Sequence, residues 1–121
     1  MIMETTHPAF ETLAFLDYEL SPYRRRLLRD GRTVAIGGRA FDLLALFAQH
    51  PGEVLSNRLL MQAVWPHTIV VEANVRAQVM LVRKLLGGDD GCPTIVNVTG
   101  RGYCFTAPVR RLPARQGHAF A

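Results

Sequence analysis

The chain has 121 residues, 49% of them hydrophobic and 20% charged, with a formal net charge of +4. That length suits one domain with a single core, and so apolar a composition excludes a largely disordered chain. No apolar run reaches the ~18 residues of a transmembrane helix, and the opening stretch MIMETTHPAF lacks the basic and apolar regions of a signal peptide.

Residues 1–12 are polar and aperiodic and read as a flexible arm. LAFLDYEL (13–20) reads as a strand, and RRLLRDGRTVAI (25–36) as two short strands joined at the hairpin signal Asp30-Gly31. RAFDLLALFAQHPG (39–52) changes period: Phe41, Leu44, Ala45 and Ala48 follow helical spacing. Leu43, Leu46 and Phe47 make that helix apolar on a second side, as in a helix sandwiched between layers, and Pro51-Gly52 ends it. A short extended piece follows, then a helix capped by Ser56, with Leu59, Leu60, Ala63 and Val64 as its apolar side and Pro66 as its stop. A longer helix spans about 71–86, its stripe of Val75, Val79, Val82 and Leu86 turned to the core. Glu72 near its start and Arg83 and Lys84 near its end suit the helix dipole. Gly87-Gly88 closes it, a strand pair at 94–98 and 102–106 follows, and residues 109–121 read as a tail or linker. Strands, three helices and a hairpin, in that order, predict an α+β fold.

The charge is unevenly placed. Residues 1–60 balance seven Arg against seven acids, whereas residues 61–121 hold seven Lys or Arg against three acids. A basic half suits a polyanionic partner, nucleic acid or membrane, and equally suits a solvated surface. Cys92 and Cys104 form no CxxC pair and read as free thiols of a reducing compartment. A hairpin turning near Gly100 would set Cys104 opposite Val96 and away from Cys92.

Two elements carry chemistry. The short helix, linker and longer helix are arranged as a helix-turn-helix. With the valine stripe inward, Asn74, Ala77, Gln78 and Leu81 fall on the opposite face, with Arg76, Arg83 and Lys84 at its margins. Amides suit adenine edges, Ala and Leu suit thymine methyls, and Arg and Lys suit phosphates. The same pattern also describes an ordinary amphipathic helix with a solvated face. The second element is the turn TGRGY (99–103), which puts Arg101 at a glycine-flanked tip. A narrow element bearing a cation suits the negative potential of a minor groove. Helix-turn-helix followed directly by such a hairpin is more specific than either part alone.

These motifs, DLLALFAQHPGEVLSNRLLMQAVWP, EANVRAQVMLVRKLLG and IVNVTGRGYCF, resemble the winged-helix DNA-binding domain of OmpR/PhoB-type transcriptional regulators over residues 13–108. The resemblance implies a winged helix-turn-helix: an N-terminal antiparallel sheet, three helices and a C-terminal β-hairpin wing. It makes the helix from Glu72 the recognition helix, with Asn74, Ala77, Gln78 and Leu81 facing the groove, Arg83 on phosphate, Thr99 and Arg101 on the wing, and Trp65 and Tyr103 in packing roles. Met80 and Leu81 depart from it, standing where relatives often carry Arg or polar residues. Thr99 departs too, at a place where some relatives have the wing arginine, which leaves Arg101 to make that contact.

The function expected is sequence-specific binding of double-stranded DNA and regulation of transcription by a cytoplasmic, bacterial-type regulator. RNA polymerase is a candidate partner, and no membrane is expected. The chain would be monomeric when free and could pair on DNA. Three alternatives stay open: a winged helix used for protein–protein contact, favoured by the apolar Met80 and Leu81 on or near the exposed face; a basic module that meets RNA or an anionic surface non-specifically; and the DNA-binding domain of a larger regulator, with 109–121 as linker. No catalytic set, metal site or cofactor is expected. His7, His50, His67 and His118 are scattered, Asp17 and Glu19 share a strand face without partners, and GGRAF is no phosphate-binding loop.

Overall fold

The computed structural model describes residues 11–87 and 94–113. In chain order its elements are β1 (Thr12–Phe15), β2 (Tyr18–Ser21), β3 (Arg26–Arg29), β4 (Arg32–Thr33), α1 (Gly38–Gln49), β5 (Val54–Leu55), α2 (Asn57–Val64), α3 (Glu72–Leu85), β6 (Ile95–Val98), β7 (Gly102–Phe105) and β8 (Arg110–Leu112). They fall into two compact units, divided after Ala35 and again after Pro108.

The first unit is a five-stranded antiparallel sheet in the order β4-β3-β2-β1-β8. Leu13, Leu20 and Leu27 lie in register across three strands and are all buried. Next to that row, Phe15 stacks on Tyr18 with ring centroids 5.7 Å apart, and the Arg29 guanidinium lies 5.4 Å from the Tyr18 centroid. Burial raises the Tyr18 phenol above its ordinary pKa.

Two expectations are corrected here. Residues 13–20 are not one strand: the chain folds back at Leu16-Asp17, with the exposed Leu16 at φ 53°. Asp17 therefore sits in a turn and not on a strand face with Glu19, and its Oδ2 accepts from Arg29 Nε at 3.2 Å. The second correction concerns the tail. Arg110–Leu112 forms β8 and pairs with β1, Leu112 opposite Thr12. Arg111 Nη1 also donates to Glu11 Oε1 at 3.2 Å, so the ends of the expected arm and tail belong to the sheet. The Asp30-Gly31 hairpin forms as expected, with φ 51° and 80°, the paired positive values that a type I′ turn demands. The rest of the arm and tail, with Gly88 and Cys92, lies outside the described residues.

The second unit packs three helices with a three-stranded sheet in the order β5-β7-β6. α1 is buried on most of its circumference, by Ala40, Phe41, Leu43, Leu44, Ala45, Phe47 and Ala48. Phe47 stacks on Phe105 of β7, centroids 6.3 Å apart. Gly52, at φ +79°, turns the chain after α1, and its N–H donates to Phe105 O at 2.8 Å. Ser56 caps α2 by accepting from the Leu59 N–H at 3.0 Å. Only Leu60 and Val64 of α2 are buried, whereas Leu59 and Ala63, expected on its apolar side, face outward. Arg39 on α1 donates to Val64 O at 2.5 Å and covers the Trp65 ring at 5.9 Å, which closes the end of α2. α3 buries Val75, Val79, Val82 and, just beyond its end, Leu86.

The hairpin of β6 and β7 is held at two places. Gly102 has φ +141°, and a Cβ built on it would collide with the Leu55 carbonyl and Ser56 Cα. Glycine stands there because the β5 backbone leaves no room for a side chain. The second hold is Arg83 of α3. Its Nε donates to Ile95 O on β6 at 2.9 Å, and its guanidinium lies 6.0 Å from the centroid of the buried Tyr103 ring on β7. Val96 faces Cys104, the pairing expected from the sequence.

Gly102→Ala should cost about 2–4 kcal/mol, the range of strained-backbone and steric defects. Gly100→Ala, where a Cβ meets nothing within 4 Å, should cost only the ~1–2 kcal/mol of a left-handed φ. Urea unfolding of the two variants checks this; equal losses would mean that the approach of Leu55 does not shape the hairpin. Arg83→Ala should cost about 1.5–3 kcal/mol, the worth of a hydrogen bond from a charged group. Arg83→Lys should recover little of it, because an ammonium lacks the planar guanidinium that reaches Ile95 O and the Tyr103 ring together. Full recovery with lysine in the same unfolding experiment would contradict that role.

Candidate nucleic-acid interface

The setting of α3 decides what the unit presents. Its buried stripe occupies one side, so the helical repeat puts Ala73, Ala77, Met80, Leu81 and Lys84 on the other, and all five are exposed. Met80 is 63% exposed and Leu81 54%. Arg76 lies on the edge of this face nearer the wing and is exposed. Gln78 lies on the opposite edge and is half-buried. Asn74 stands in the first turn, where its Oδ1 accepts from the Val71 N–H at 3.1 Å and so caps the helix.

The wing turns at Val98–Arg101, closed by the Arg101 N–H donating to Val98 O at 2.9 Å. Gly100 supplies the left-handed φ of +73° that this four-residue turn requires. Thr99 and Arg101 are exposed at the tip. Between the tip, the start of α2 and the first turns of α3 lies an open groove of about 440 Å³. Arg58, Arg76 and Arg101, each from a different element, line it, and Glu72 is its one acid. Among the described residues none of these three arginines has an ion-pair partner. Ser56 and Asn57 bring the start of α2 to the same groove, so backbone N–H groups and a favourable dipole add to the positive potential.

The expected site residues thus divide by position. Ala77, Leu81 and Lys84 stand on the outer face of α3, and Arg76, Thr99 and Arg101 converge on the groove. Three differ from their expected places. Gln78 sits at the edge of the buried stripe and not at the centre of the face. Asn74 has spent its acceptor on the helix cap. Arg83 has committed Nε to Ile95, so it ties α3 to the wing instead of reaching outward as a free cation. Trp65 and Tyr103 are buried, as the packing expectation required. Arg58 was not singled out from the sequence. Its signal was local, a basic residue two positions after the cap Ser56, but only the fold brings it to the wing. No group of three or more His, Cys, Asp or Glu able to hold a metal occurs among the described residues, and no helix there is long and apolar enough to cross a membrane.

The family described as "Transcriptional regulatory protein, C terminal" matches residues 31–105. The transcriptional activator CadC of Escherichia coli is 37% identical over 95 residues, 77% of this chain and 19% of CadC. The DNA-binding domain of Escherichia coli CadC superimposes with a TM-score of 0.73 at 33% identity, covering 87% of this chain and 97% of that domain. The DNA-binding domain of Klebsiella pneumoniae RstA, solved in complex with the RstA box, superimposes with a TM-score of 0.69 at 26% identity, covering 78% of this chain and 96% of that one. The chain spans less than half the length of the full-length regulators CadC and CutR that it matches. The three helices, the antiparallel N-terminal sheet and the β6–β7 hairpin of the described residues are those of the winged-helix domains of this group. The chain belongs to the family of C-terminal domains of transcriptional regulatory proteins, the OmpR/PhoB-type winged helix-turn-helix domains.

Proposed function

We propose that this chain binds double-stranded DNA sequence-specifically and regulates transcription. α3 enters the major groove with Ala77 and Leu81 toward the bases, Lys84 near its exit, and Asn74 and Gln78 approaching from one edge. The wing, with Thr99 and Arg101, lies toward the neighbouring minor groove. The observation that supports this reading best is the groove where Arg58, Arg76 and Arg101 meet the start of α2. Three guanidiniums from three elements around one groove favour the entry of anions, and a phosphodiester strand supplies them. Arg83 acts at one remove, by holding the wing to α3. The reading puts the chain in the cytoplasm, where a bacterial regulator meets its DNA, with RNA polymerase as a candidate partner. It binds as a monomer that pairs, if at all, on adjacent sites.

A second reading, a winged helix serving protein–protein contact, draws on the exposed Ile69 and Val71 in the loop before α3. The salt dependence of binding separates the two.

On a duplex of mixed sequence, log affinity should fall linearly with log salt, by about 0.9 for each phosphate contacted. Arg58→Ala, Arg76→Ala and Arg101→Ala should each make that slope shallower by about one contact, on specific and scrambled duplexes alike. A flat salt titration would remove the DNA-binding reading. A slope unchanged by all three variants would place the phosphates elsewhere on the surface.

A further inference from the structure

The centre of the outer face of α3 is apolar. Met80 and Leu81 are large and more than half exposed, and Ala73 and Ala77 beside them are exposed as well. None of the four contributes to the core, which Val75, Val79 and Val82 fill from the other side. The polar groups that could read bases stand off-centre or are occupied. Guanine is read by paired donors of Arg or Lys, but Arg76 lines the groove toward the wing, Arg83 is bonded to Ile95, and Lys84 stands in the last turn, beyond Met80 and Leu81. Adenine is read by an amide that donates and accepts together, but the Asn74 acceptor already caps the helix and Gln78 is half-buried.

A base edge that matches an apolar surface has one apolar group to offer in the major groove, the C5-methyl of thymine. The charge around the patch fits the same occupant. Lys84 and Arg76 flank it, the wing groove adds Arg58 and Arg101, and the only acid on α3 is Glu72 in its first turn. An apolar strip with basic margins is complementary to methyl groups lying between two phosphate strands.

We infer that Met80 and Leu81 are specificity-determining residues that select thymine methyl groups in the major groove. The inference rests on the DNA-binding reading above, and its test is arranged so that the two can fail separately. Burying one methyl(ene) group is worth about 0.8 kcal/mol, which is roughly a four-fold change in affinity.

The test takes the duplex most enriched from a random pool by the whole chain and resynthesises it with deoxyuridine for thymidine. The substitution removes the methyl and leaves the base pairing and charge. Affinity should fall by about four-fold for each methyl contacted, and replacing deoxyuridine by 5-methyldeoxycytidine opposite deoxyguanosine should bind more tightly than unmethylated deoxycytidine at the same place. Met80→Ala and Leu81→Ala, at exposed positions where folding should survive, should bind the thymidine duplex more weakly and respond less to removal of the methyls. Deoxyuridine duplexes bound as tightly as thymidine ones, with the steep salt dependence intact, would overturn the inference and leave DNA binding standing. Methyl sensitivity undiminished in both variants would also overturn it, by assigning the methyls to other residues. Failure to enrich or bind any duplex would remove the DNA-binding reading and the inference with it.

Discussion

The rotational setting of α3 is the constraint on which the candidate interface depends. Val75, Val79, Val82 and Leu86 are each nine-tenths or more buried and repeat with the helical period. Burial of four such side chains stabilises this setting by roughly 1.5–3 kcal/mol for each fully buried group relative to exposure. Rolling the helix by one residue would put Arg76 or Gln78 into the core, where an unpaired polar group costs several kcal/mol. The outer face is therefore determined by the inner one. Ala73, Ala77, Met80, Leu81 and Lys84 are outside because the valines are inside.

The wing is positioned by contacts of a different kind. Gly102 lets β7 lie against the β5 backbone, and Arg83 bridges α3 to both strands of the hairpin through Ile95 and Tyr103. Helix and wing are thus coupled through a part-buried guanidinium instead of a flexible linker. The coupling ties together the α3 and wing sides of the groove, which Arg76 and Arg101 line. Like charges gathered with no ion-pair partner among the described residues repel, so that cluster opposes folding. It is the sort of local conflict that folded proteins retain at sites of function.

Much of this could be read from the sequence, where the signals were local. The α3 stripe, the Ser56 cap, the Asp30-Gly31 hairpin and the Gly100 turn each rest on residues within a few positions of one another, and each is found. The break at Leu16-Asp17 carried a single turn former, Asp17, beside a leucine and with no glycine or proline near it. A second trace was a change of parity: Leu13 and Phe15 point inward at odd positions, Tyr18 and Leu20 at even ones. An unbroken strand cannot make that change. The remaining differences come from partners distant in sequence. β8 pairs with β1 across nearly the whole chain, Arg83 finds Ile95, and Gly102 is forced by Leu55. A glycine beside a wing arginine reads as a device for approaching DNA, but Gly102 is buried and answers to the neighbouring strand. The Asn74 cap was local and legible in principle. An amide on a helix-turn-helix suggests a base reader before it suggests a helix cap, and the two roles compete for the same Oδ1.

On the DNA-binding reading one surface, the outer face of α3 with the wing groove, meets the duplex. Amide chemical-shift mapping of the isotopically labelled chain, titrated with its selected duplex, tests this directly. The largest changes should fall at Arg58, Arg76, Ala77, Leu81 and Thr99 to Arg101, while Leu20 and Leu27 in the five-stranded sheet stay nearly unmoved. Changes concentrated in β1 to β4, or in the loop at Ile69 and Val71 with α3 and the wing silent, would contradict it.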